Sequence, residues 1–254
     1  MQHAPVNRDT APVLLELSDL SAHTPSWATQ GIAEFEYELG KEKSDFPCTF
    51  GIQNYKEKSL RFTFVEDDSP NNLDHMAKAL YEYTKNARNF GTSSSSLVCV
   101  FRPLVDKTVA DYERWFWSIL QQLHDRDTEP WPREYSENPE HETWAFCFAG
   151  EGHFVVCNTP EHHLRRSRHN PNPMITFTPR WSFKGIEGNT KPGIAVRELI
   201  RKRVMLYDKV PPSDKFSAYG QGLDWVQYFL PEGSDTSSLS KCPFSIKSEK
   251  TNHE

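Results

Sequence analysis

The stretch "NTPEHHLRRSRHNP" at 158–171 sets three histidines and three arginines into fourteen positions of a chain whose formal net charge is −6. Pro160 suits the first turn of a helix with Thr159 as its N-cap, which would put His162 and Arg166 on one face with Arg165 and Arg168 flanking it. One imidazole among guanidiniums can ligate the metal of a macrocycle while the arginines pair with its carboxylates. The same residues would also serve as a grip on phosphate or another anion, or as a solvated basic helix end.

Other chemistries lack their signatures. "GEGHF" is a GxG that runs on into a strand without a third glycine, and no GxxxxGK[ST] occurs, so no flavin or nicotinamide site is indicated. "PEHET" and "PEHHL" do not give HExxH, and adjacent His162 and His163 diverge by about 100° on a helix. No GxSxG elbow selects a nucleophilic serine. The five cysteines, Cys48, Cys99, Cys147, Cys157 and Cys242, form an odd set without a CxxC pair, so neither a disulfide framework nor a zinc knuckle is expected. The acidic balance argues against broad nucleic-acid binding. Without an apolar run long enough for a membrane helix, or a signal peptide's order of residues, a cytoplasmic protein that engages no membrane is expected.

The elements that must position these residues follow from periodicity. Residues 1–25 read as a loosely attached arm with one apolar patch, "VLLEL". The domain proper is expected over 26–233, and 234–254 as a largely flexible tail with a docked "CPF". A helix is predicted from Ser26, as N-cap, to Gly40. "DFPCTFGI" is predicted extended, with Cys48, Phe50 and Ile52 on one face. Strands are predicted at "SLRFTFVED" and "SLVCVF", and amphipathic helices near 73–88 and 108–125. Residues 125–142 read as a long surface loop. "TWAFCFAG" and "HFVVCN" are expected to form a hairpin with Gly150 and Gly152 at positive φ, before a strand in "MITFTPRWSF" and a last helix turning Ile194, Leu199, Ile200 and Leu206 inward. Strand pairs outnumber helix crossovers, so the expected fold class is α+β with a mostly antiparallel central sheet packed with several helices in one domain.

With these stretches in hand, "FPCTFG" (46–51), "PWP" (130–132), "WAFCFAGEGHFVVCNTPEHHLRRSR" (144–168), "ITFTPRWSF" (175–183), "YFLP" (228–231) and "CPF" (242–244) together resemble the YqcI/YcgG family, in the family's order. The most specific signal is the H-x-x-R-x-S-R run of His162, Arg165, Ser167 and Arg168, with the later Pro-Arg-Trp at 179–181. The resemblance implies a haem-dependent monooxygenase that hydroxylates a nitrogen of an amino acid or of a small amine or guanidine metabolite. It would use haem b, O₂ and electrons from an external reductase or reductant. It further implies His162 as iron ligand, with His163 and Cys48 as alternatives, and Arg165, Ser167, Arg168 and Arg180 at the haem. A haem-binding or haem-sensing protein without turnover, and a haem-free binder of an anionic small molecule, are the competing readings. Trp131, Trp144, Phe146 and Trp181 are candidates to wall the substrate pocket.

Overall fold

The computed structural model describes residues 12–91, 93–188, 190–213, 222–233 and 239–246. Of the arm expected at 1–25, residues 1–11 lie outside them, and of the tail expected at 234–254, residues 234–238 and 247–254 do.

Five strands, β1 (Leu60–Val65), β2 (Ser96–Phe101), β3 (Phe146–Phe148), β4 (Glu151–Asn158) and β5 (Met174–Pro179), form one sheet in the order β1-β2-β5-β4-β3. The sheet is mixed, where the sequence predicts a mostly antiparallel one. After β1 the chain crosses over through helix α4 (Pro70–Asn86) and returns parallel to it as β2, whereas β5, β4 and β3 join antiparallel.

Strand alternation sorts the side chains onto two faces. Leu97, Cys99, Val155, Cys157, Ile175 and Phe177 are buried in one cluster with α4 and with α5 (Val109–His124). Helix α5 starts where its capping box demands, Thr108 Oγ1 accepting from the Asp111 N–H while Asp111 reaches back to Thr108. Both of its faces are used, since Tyr112, Trp115, Phe116, Trp117, Ile119, Leu120 and Leu123 are all buried. The opposite face of the sheet, with Leu60, Val98 and Met174, meets α2 (Thr29–Gly40), α3 (Thr49–Lys56) and α6 (Lys191–Tyr207). Short α1 (Leu20–His23) follows Leu15, which bridges to Phe62 at the free edge of β1.

Several local expectations are corrected. Ser26 opens a 3₁₀ turn, and α2 begins only at Thr29. Residues 49–56 are helical rather than extended: Pro47 holds the chain extended only up to Cys48, whose sulfur then accepts from the Gly51 N–H and caps α3. In the β3–β4 hairpin the positive φ angles belong to Ala149 and Gly150, as a two-residue turn of this kind requires. Gly152 is needed for another reason, because a Cβ there would collide with the Tyr135 ring from the long loop. On α6, Ile194, Leu199 and Leu206 are exposed while Gly193, Val204 and Tyr207 are buried, because this helix covers a cavity rather than a packed core. The tail segment does dock, with Phe244 buried against Trp131, Trp144 and Phe146.

Candidate functional site

The space between the sheet and helices α2, α3 and α6 is a cavity of about 440 Å³, within the roughly 300–1,000 Å³ of small-molecule and cofactor clefts. Its floor is the outward row of alternate strand residues, Ser96 and Val98, Phe154 and Val156, Thr176 and Thr178. Aromatic walls come from Phe35, Phe46, Phe50, Phe154, Phe183 and Tyr207. The rings proposed from sequence are elsewhere: Trp144 and Phe146 are wholly buried in the core on the other face, Trp131 packs against His124 and Phe244, and Trp181 lies under the Arg88 guanidinium.

Among the charged residues that line the cavity, two buried arginines differ. Arg180, at the end of β5, is ion-paired with Asp224 and lies over the rings of Phe154 and Phe183. Asp224 also receives a 3.4 Å contact from the Tyr228 hydroxyl, which itself donates to the His153 carbonyl. Arg168 is only 6% exposed, and its Nη2 donates to the Gln227 carbonyl at 3.0 Å while Nη1 has no partner. Among the described residues no carboxylate lies within salt-bridge distance of it. Burial pulls its pKa down to about 10, so it stays cationic at neutral pH. A buried guanidinium with a free N–H and no counter-ion is a ready partner for an anionic ligand.

The 158–171 cluster does not form the expected helix. Thr159 pairs with His169 as an isolated bridge, and the chain turns into a 3₁₀ segment, Arg166–Arg168, that points successive side chains apart. Ser167 and Arg168 reach the cavity, as do Arg166 and His169, whereas His162, His163 and Arg165 are not among its lining. Ser167 is fixed by Asp208, whose carboxylate accepts from its N–H at 2.7 Å and its hydroxyl at 2.8 Å. Arg165, fully buried, donates to the carbonyls of Pro231, Pro211 and Gly233. His163 is exposed, 3.7 Å from Glu161.

His162 is wholly buried and uses both ring nitrogens. The Leu230 carbonyl, 2.8 Å from Nε2, can only accept, so Nε2 carries the proton and Nδ1 accepts from the Thr159 hydroxyl, also at 2.8 Å. Desolvation lowers its pKa to about 4, which keeps it neutral. In this conformation neither nitrogen offers a lone pair to a metal. Together with Arg165, and with Glu232 accepting from the His163 and Leu164 N–H groups, it ties 158–168 to the 230–233 segment that follows Asp224 and Gln227.

Cys48 is open to the cavity, and the protein enclosing it pushes its thiol pKa up, opposed by N–H groups of Gly51 and Phe50 and by the nearby Arg168 charge. Sequence reasoning passed over His169 as a ligand; its Nδ1 is buried without a partner beside the same cavity. It also passed over Glu34 and Glu38, one turn apart on α2, which place carboxylates on the wall. Only their spacing at i, i+4 beside Phe35 and Leu39 hinted at a polar stripe next to an apolar one. Among the described residues no cluster of three or more His, Cys, Asp or Glu could hold a bare metal ion, and no helix is long and apolar enough to cross a membrane.

The chain is an α+β domain with one sheet face packed and the other opened into an aromatic cavity beside the buried Arg168. The YqcI/YcgG family model matches residues 35–245, and the chain belongs to that family. It is 35% identical to "Uncharacterized protein YqcI" and 36% identical to "Uncharacterized protein YcgG", both of Bacillus subtilis (strain 168), in each case over 90% of this chain and 92% of the relative. It is 32% identical to "Putative N(omega)-hydroxy-L-arginine synthase DcsA" of Streptomyces lavendulae, over 80% of this chain and 78% of that protein. No solved structure matches.

Proposed function

We propose that this protein is a haem-dependent monooxygenase that hydroxylates a side-chain nitrogen of a cationic amino acid, with arginine the leading candidate. The observation that carries the reading is the buried Arg168 guanidinium, whose Nη1 has no hydrogen-bond partner, beside an aromatic cavity, in a chain whose relative from Streptomyces lavendulae is named for hydroxylation of an arginine nitrogen. That cavity fits a flat, apolar cofactor bearing carboxylates: rings line the walls, Arg168 has no carboxylate within salt-bridge distance among the described residues, and Arg180 sits over two of the rings. Arg168 and Arg180, with Ser167 beside them, would hold the cofactor, whereas Arg165 is committed to backbone carbonyls.

Bound haem would supply the activation of O₂, with electrons from an external reductase or reductant. The chain's own part is positioning and charge. Glu34 and Glu38, the latter paired with Lys41 at 2.9 Å, give the cationic amine or guanidine end of the substrate an anionic wall, and that nitrogen must give up a proton before it is nucleophilic. The test is to purify the chain after expression with a haem precursor, supply reductant and O₂, and analyse a panel of amino acids by mass spectrometry. Gain of one oxygen on arginine or a similar amine is expected. Haem uptake with no oxygenated product across the panel would move the reading to haem sensing, and no haem uptake would end both.

A further inference from the structure

We propose that Cys48, rather than His162, is the side chain that ligates the haem iron in this cavity; the inference rests on the haem reading above and deepens it.

Three observations bear on it. Cys48 lines the cavity, and its sulfur sits at the N-cap of the eight-residue helix α3, where the Gly51 N–H donates to it at 3.3 Å and the Phe50 N–H supports it. Peptide N–H groups aimed at sulfur, at the positive end of a helix, stabilise the thiolate over the thiol. Independently, the same cavity holds Arg168, more than nine-tenths buried, with Nη1 unpartnered and close enough for its charge to act on the Cys48 sulfur. An anion at the sulfur and carboxylates on the ligand would each relieve that cation. His162 offers the reverse on every count: it is not in the cavity wall, its proton is committed to the Leu230 carbonyl and its lone pair to the Thr159 hydroxyl. Its role is then to hold the 230–233 segment in place.

The chemistry balances without an oxidant. Cys48 gives its proton to solvent as its sulfur donates an electron pair to iron, and no electron is transferred.

The experiment is spectroscopic. The full-length chain is reconstituted with haemin, reduced and exposed to CO, beside Cys48→Ser, His162→Gln and His169→Ala. Serine is a preferred N-cap, so Cys48→Ser should keep α3 and the fold, which circular dichroism checks. The parent and His162→Gln should show the long-wavelength Soret band of a thiolate-ligated ferrous–CO haem, and Cys48→Ser should lose it while staying folded. A thiolate band that survives Cys48→Ser overturns the proposal. So does an imidazole-type band in the parent that vanishes in His169→Ala or His162→Gln; in both cases the haem reading stands. A parent chain that takes up no haemin sinks the haem reading itself.

Discussion

The two faces of the sheet have been put to opposite uses. Towards α4 and α5, Leu97, Cys99, Val155, Cys157, Ile175 and Phe177 are buried against each other with His153 beside them, and the buried indole nitrogens of Trp117, Trp144 and Trp225 and Nδ1 of His153 carry no hydrogen bond. Towards α2, α3 and α6 the same strands present Ser96, Thr176 and Thr178 among their apolar residues, and the helices stand off. Packed interiors gain from every methylene they bury, whereas a cavity forgoes that gain in return for a place to bind. The difference predicts that damage on the closed face will appear as lost stability, and damage on the open face as lost ligand.

The largest effect is expected on the closed face. Phe116, wholly buried between Trp117 and Phe229, cannot be truncated without leaving a void. Phe116→Ala should lower unfolding free energy by about 3–5 kcal/mol in urea titration. On the cavity side the exception is Arg180→Met, which should cost a similar ~3–5 kcal/mol because it strands the buried Asp224 carboxylate. If Arg180→Met were nearly neutral, the pair would belong to ligand binding rather than to the fold.

Acid should act mainly through buried imidazoles. His153, edge-on to Phe177 and hydrogen-bonded to Thr84, has its pKa pushed down to about 3 by burial, and His162 to about 4, both from 6.5. A histidine whose folded pKa is depressed is stable in its neutral form, so the contribution is fully present above pH 6.5 and is lost as the pH falls from there toward the folded pKa. The combined loss should reach on the order of 3 kcal/mol or more by pH 4. His153→Gln should flatten part of that slope in pH-dependent melting. Smaller again, Gly152→Ala should cost about 1–3 kcal/mol by forcing the Tyr135 ring aside, and Tyr135→Ala in the same chain should recover much of it.

The closed face was legible from the residues. The continuous apolar run in "SLVCVF", the alternation in "ITFT" and the apolar stripe of 109–123 specify two strands and a helix. The open face was not, because α3 and the cluster at 158–168 obey local rules that periodicity does not carry. Pro47 and the sulfur of Cys48 start a helix where alternation suggested a strand. The Thr159–His162 hydrogen bond and the Thr159–His169 bridge replace the helix that Pro160 invites. The basic run flagged Ser167 and Arg168, which do reach the cavity, but could not show that His162 and Arg165 turn toward the 230–233 backbone. A segment more than sixty residues away in sequence decided which members of the run face inward. The parallel pairing of β1 with β2 escaped for a related reason, since α4 reads equally well as a flanking helix or a crossover.

The smallest expected change in stability discriminates between the faces best. Arg168 is buried as deeply as Arg180 but, among the described residues, has no carboxylate within salt-bridge distance, so its guanidinium contributes one hydrogen bond, to Gln227, against the cost of desolvating a charge. Arg168→Met keeps much of the volume and removes the charge, so its unfolding free energy should change by less than about 1 kcal/mol, or rise. The same variant should weaken binding of a carboxylate-bearing ligand at least tenfold, roughly 1.4 kcal/mol, in titrations with haemin and, separately, with arginine. Loss confined to haemin would place Arg168 at the cofactor's carboxylates; loss confined to arginine would place it at the substrate's. A large stability loss with binding intact would show that Arg168 belongs to the closed face's economy of packing, and that the asymmetry between the two sides of the sheet is not a division of labour.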